Sequence, residues 1–96
     1  MLHLISQSPI ETAVLERIDT GDSVVFMENA VLRILQNGNL AESLVGLLAR
    51  NRLYVLSDEL SVRGIRPDEL VVGIEAIDYA GLVDLTVRHS LIQTWS

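Results

Sequence analysis

The residues whose types could do chemistry sit where apolar runs end. Ser6, Ser8, Glu28, Asn29, Ser57, Asp58, Asp78 and Tyr79 each follow a short hydrophobic stretch, the position from which side chains reach a ligand beyond the carboxyl ends of parallel strands. Their ordinary reading is structural. Ser8, Asn29, Ser57 and Asp78 stand at helix starts, where a short polar side chain caps free backbone N–H groups. Glu28 with Asp58 or Asp78 could form an acidic cation site, but nothing else in the composition demands a metal. The two histidines have no nucleophile near them in sequence. His3 lies inside the first apolar run, as a satisfied core histidine would, and His89 ends the last helix, where the dipole favours a cation. There is no G-x-S-x-G elbow and no phosphate-cradling glycine pattern. No catalytic, cofactor-binding or metal-binding residue is assigned.

The composition excludes more. With no cysteine, the chain can hold no disulfide, thiolate metal site or covalent sulfur carrier. All seven basic residues are arginine, so a Schiff-base lysine and a Walker-type lysine are excluded too. The formal charge is −6 and the only close basic pair is Arg50-Asn51-Arg52, which argues against direct nucleic-acid binding by this chain alone. No apolar run approaches the ~20 residues of a membrane span, and no signal-like segment opens the sequence, so a cytoplasmic location without membrane contact is expected. At 96 residues and 49% apolar, the chain is one domain (1–96) with more apolar surface than its size readily buries. That surplus predicts an interface, and self-association of the isolated chain.

The elements follow from the pattern. Leu2–Ile5 reads as a strand. Ser8-Pro9-Ile10-Glu11 reads as a capping serine, an N1 proline and an N3 glutamate, opening a helix to about Asp19 with Ile10, Ala13, Val14 and Ile18 inward. Ser23–Met27 is a second strand. Asn29 caps a short helix ending at Asn37-Gly38, and Asn39 with Glu42 caps another carrying Leu40, Leu44, Leu47 and Leu48. Leu53–Leu56 is the third strand, and Ser57 caps a helix that Gly64 ends. Val71–Ile77 is the fourth strand. Asp78 caps a helix in which Tyr79, Leu82, Val83, Thr86 and Val87 recur at helical spacing, with Asp84 and Arg88 on the opposite, wet side. Leu91–Trp95 is a short fifth strand. Strands separated by helices imply right-handed crossovers, hence an α/β fold: a three-layer α/β/α sandwich on a mostly parallel sheet of four or five strands.

Two aromatic residues are interface candidates. Trp95 either packs on the edge of its own sheet or buries against another chain, and Tyr79 either joins the core or meets a partner, core packing being favoured.

Ile77-Asp78-Tyr79, Leu85-Thr86-Val87-Arg88-His89 and Gln93-Thr94-Trp95 resemble the closing signature of the TusB/DsrH family of sulfur-relay subunits. Met1-Leu2-His3 with Ser8-Pro9, Gly21-Asp22, and Leu56-Ser57-Asp58-Glu59-Leu60 with Arg63-Gly64 are similar to it in order and spacing. The resemblance implies a DsrEFH-like, flavodoxin-like layering with the last strand beside the first. It implies a non-catalytic subunit of a cytoplasmic persulfide-relay complex with TusC/DsrF-like and TusD/DsrE-like paralogues, serving tRNA wobble 2-thiouridine synthesis or sulfur oxidation. In the family the carrier thiol belongs chiefly to the TusD/DsrE-like chain. Some DsrH-type members add a cysteine on the first helix, and Glu11–Asp19 has none. The competing reading is a free-standing α/β ligand-binding protein forming a homo-oligomer.

Overall fold

A computed structural model describes residues 1–96. The chain runs β1 (Leu2–Ile5), α1 (Thr12–Glu16), β2 (Ser23–Phe26), a 3₁₀ helix (Glu28–Arg33), α2 (Ala41–Leu48), β3 (Arg52–Leu56), α3 (Ser57–Arg63), a 3₁₀ turn (Pro67–Glu69), β4 (Glu75–Ile77), α4 (Tyr79–Arg88) and β5 (Ile92–Trp95). All five strands are parallel, in the order β4-β3-β2-β1-β5. The last strand lies beside the first, with Leu2 opposite Ile92 and Ile5 opposite Trp95.

This order fixes where the helices go. From β1 to β4 each crossover steps the same way, so right-handedness puts every helix before β4 on one face of the sheet. The step from β4 back to β5 runs the other way and places α4 on the opposite face. Strand alternation divides the core accordingly. Ile5, Val24, Phe26, Leu53 and Val55 meet the thick layer, joined by Val14, Leu15, Ile18, Val31, Ile34, Leu44 and Leu47 in a cluster of 17 buried residues. Leu2, Val25, Tyr54 and Leu56 meet Leu85 of α4 in a cluster of five, with Leu82 partly buried against it. The sandwich therefore has three layers, one of them a single ten-residue helix.

Local chemistry moves several boundaries. The helix expected from Ser8-Pro9 begins only at Thr12: Gln7 Oε1 accepts the Glu11 N–H at 2.8 Å, and the Ser8 hydroxyl accepts from Arg33 Nε at 2.8 Å, so neither serine nor proline opens it. Leu15, not Ala13, is the inward neighbour of Val14. Asn29 takes the Arg63 guanidinium at 2.9 Å instead of capping, and Glu28–Arg33 winds as 3₁₀. Asn39 and Ser57 do not cap either, since α2 starts after Leu40 and α3 after Leu56 without side-chain bonds. Gly64 ends α3 with φ 66°, as expected of a C-terminal glycine. The fourth strand shrinks to Glu75–Ile77. Val71 instead donates to Ile34 O at 3.0 Å, and Leu70 bridges Leu35, tying this segment to the 3₁₀ region. Asp78 caps as read: its Oδ1 accepts the Gly81 N–H at 2.9 Å.

Candidate functional site

The strand order reverses between β1 and β5, so the switch-point crevice where α/β sheets commonly hold ligands lies beyond Ile5 and Trp95. A shallow groove of about 340 Å³ occurs there, lined by Gln7, Glu11, Arg17 and Trp95 among others. Of the residues read as candidates at the strand ends, Ser6 donates weakly to Trp95 O (3.4 Å) and Ser8 holds Arg33. Glu28, Asp58 and Asp78 are not gathered into a metal-ligating group. The carboxyl edge thus presents scattered caps and tethers.

The polar focus of the fold lies instead on β1, β5 and the turn before β2. His3 is buried in the sheet at 1% exposure. Trp95 Nε1 donates to its Nδ1 at 3.1 Å, and the two rings stack with centroids 6.4 Å apart. Because an indole N–H can only donate, Nδ1 must accept, and the proton sits on Nε2, which meets Asp22 Oδ2 at 2.8 Å. Asp22 also accepts from the Asp19 N–H and from the Met1 ammonium group, both at 3.0 Å. Burial pushes its carboxyl up, but the hydrogen bonds from His3, the Met1 ammonium group and Asp19 together hold it below the usual value. Asn51 completes the turn, donating to Asp19 O at 2.6 Å and Asp22 O at 3.1 Å. This is a His–Asp pair with no nucleophile beside it and with its histidine sealed from solvent, so it orders the amino end of the sheet. The satisfied core histidine was legible in sequence. Its Asp22 partner was not, because the pairing depends on β1 and β2 being neighbours.

Trp95 is half-buried against its own core cluster. Tyr79 is not in the core: it is 59% exposed. On α4, Leu82 and Leu85 turn inward, whereas Tyr79, Val83 and Val87 form an i, i+4, i+8 stripe of exposed side chains. At about 100° per residue that stripe lies nearly opposite Leu85. The helical spacing was right and Leu82 faces inward as read, but Tyr79, Val83 and Val87 of the same set face outward. Asp84 and Arg88 pair at 2.9 Å on the flank of the helix. Leu91 and Ile92, on the entry to edge strand β5, are exposed as well.

The chain is a small parallel α/β domain without a thiol, with one helix apolar on both sides. The model of the family described as DsrH like protein matches residues 7–91, and the chain belongs to that family. It is 29% identical over 98 aligned positions to Protein TusB of Buchnera aphidicola subsp. Baizongia pistaciae, and 32% identical to Protein TusB of Pectobacterium parmentieri and of Shigella flexneri; each alignment covers 99% of this chain and all of the relative. A solved protein of unknown function from Methanobacterium thermoautotrophicum shares the fold at TM-score 0.78 and 13% identity, over 97% of this chain and 95% of that one. No helix is long and apolar enough to cross a membrane.

Proposed function

We propose that the chain is a non-catalytic, structural subunit of a cytoplasmic sulfur-relay complex, assembled with TusC/DsrF-like and TusD/DsrE-like chains and serving tRNA wobble 2-thiouridine synthesis. The TusB relatives support that pathway over sulfur oxidation. Persulfide transfer needs a thiolate at each station, and this chain has none. Its contribution is geometric: holding a partner's reacting groups in register is worth large rate factors, and a displacement of about 1 Å can cost ~100-fold.

The observation that carries this reading is the outward stripe Tyr79, Val83 and Val87 on the helix that alone covers its face of the sheet. A helix apolar on opposite sides belongs between two packed surfaces. Tyr79 anchors that contact at the first turn of α4. Trp95 contributes separately by pinning β5, the edge strand next to the exposed Leu91 and Ile92. The test is co-expression with the two paralogous chains. The three should co-purify, and incubation with a cysteine desulfurase and labelled cysteine should label the TusD/DsrE-like chain and leave this one unlabelled. A reductant-labile label on this chain would overturn the reading.

A further inference from the structure

We propose that the cleft at the amino-terminal edge of the sheet, between β2, β3 and the end of α4, is a binding site for a phosphate group. It is the largest cleft in the molecule, about 560 Å³, within the size range of small-ligand sites. In a chain of net charge −6, three of its seven arginines, Arg50, Arg52 and Arg88, line it together with His89, and no carboxylate does. Such convergence of guanidinium groups is the arrangement that recognises phosphate oxygens.

Helix dipoles explain part of this charge. Arg50 follows α2 and Arg88 ends α4, where cations are favoured in any case. They do not explain the strand residues. Ser23 and Arg52 are register partners on β2 and β3, and Tyr54 follows on the same face of β3, under the part of the sheet that α4 leaves uncovered. Ser23 and Tyr54 are each more than nine-tenths buried (6% and 7% exposed). Neither hydroxyl takes part in any side-chain hydrogen bond of the fold. Neither is sealed off, since Asn51 Oδ1 is the one buried side-chain polar atom without a partner. Two nearly buried hydroxyls open on the cleft with nothing in the protein to bond. A phosphate supplies acceptors for both hydroxyls and for Arg50 and Arg52, which form no ion pair within the fold. Arg88 would exchange its exposed pairing with Asp84 for the ligand, a small loss because such surface pairs contribute little.

The site is independent of the subunit reading above and is tested on the isolated chain. The probes are inorganic phosphate, adenosine 5′-monophosphate and a single-stranded RNA oligomer, followed by calorimetry and by NMR shifts of the Arg52, Tyr54 and His89 amides. Saturable binding is expected. Arg50→Gln and Arg52→Gln should each weaken it by about tenfold or more, the cost of one charge-assisted contact, and Tyr54→Phe should weaken it severalfold while keeping the packing. Arg66→Gln, which does not line the cleft, should leave it unchanged. If the RNA competes with the monophosphate and depends on the same arginines, the phosphate is carried by a polymer; if the small probes alone saturate, it belongs to a small molecule. No saturable binding of any probe, or binding that a folded Arg52→Gln variant retains in full, would overturn the proposal.

Discussion

The indole N–H of Trp95 donates to Nδ1 of His3 over 3.1 Å, joining the last strand to the first through side chains as well as through the ladder. The bond dictates which nitrogen of His3 faces Asp22, so the C-terminal strand helps to set the polar arrangement at the start of the sheet. Trp95→Phe keeps an aromatic ring but removes the donor, along with part of the packed surface, leaving a buried acceptor unpaired. The expected cost is about 1–2 kcal/mol, roughly 4–8 °C in Tm per kcal/mol for a domain of this size, read by thermal denaturation. An unchanged Tm would mean that the bond contributes nothing to stability.

Asp22 should make folding pH-dependent. Its carboxyl titrates lower in the fold than its ordinary value of 3.8, so the folded state binds the proton less readily than the unfolded chain. The associated stability is fully present above the unfolded pKa and is lost as pH falls through the lower, folded value. Urea titrations between pH 7 and pH 3 should show stability falling at the acid end, with a shallower fall in Asp22→Asn. Equal slopes in the two proteins would remove Asp22 as the cause.

The cap at Asp78 should be separable from function. Asp78→Ala should cost about 1 kcal/mol, because the Gly81 N–H loses its acceptor, and Asp78→Asn should recover most of it. Neither change should affect sulfur delivery to tRNA by the assembled complex beyond what lost stability explains. If Asp78→Asn abolished delivery with the complex intact, this chain would have an active site.

The thin second layer should be the weak point of the fold. Leu85 is the one α4 residue in the five-residue cluster, at 3% exposure, and Leu85→Ala should destabilise by about 2–5 kcal/mol. Urea unfolding measures this directly. A loss below about 1 kcal/mol would show that α4 contributes little to the isolated domain.

What could be read from the sequence were features set within a few residues. The five runs read as strands, the fourth of them shortened at its start, the Asp78 cap and the Gly64 helix end depend on local pattern and local hydrogen bonds, and they stand in the structure. The misread features depend on contacts distant in sequence. Ser8 and Asn29 look like caps until Arg33 and Arg63 reach them from 25 and 34 residues away. Val71 looks like a strand residue until it pairs with Ile34. Tyr79, Val83 and Val87 look like a core stripe because periodicity identifies an apolar face without saying what it meets. The Asp22–His3–Trp95 chain spans residues 3 to 95, and no local signal could assemble it.

The central claim, that this chain contributes a surface and no chemistry, is tested most directly by Val83→Asp in the co-expressed three-chain complex. Val83 is 58% exposed at the middle of the outward stripe, so the isolated variant should keep its circular dichroism and its Tm within a degree or two, as surface substitutions do. A carboxylate buried without a partner at an interface costs several kcal/mol. Size-exclusion mass measurement should therefore show the variant separated from its two partner chains, with sulfur transfer to tRNA lost in step. A complex of wild-type mass and wild-type transfer rate would contradict the account.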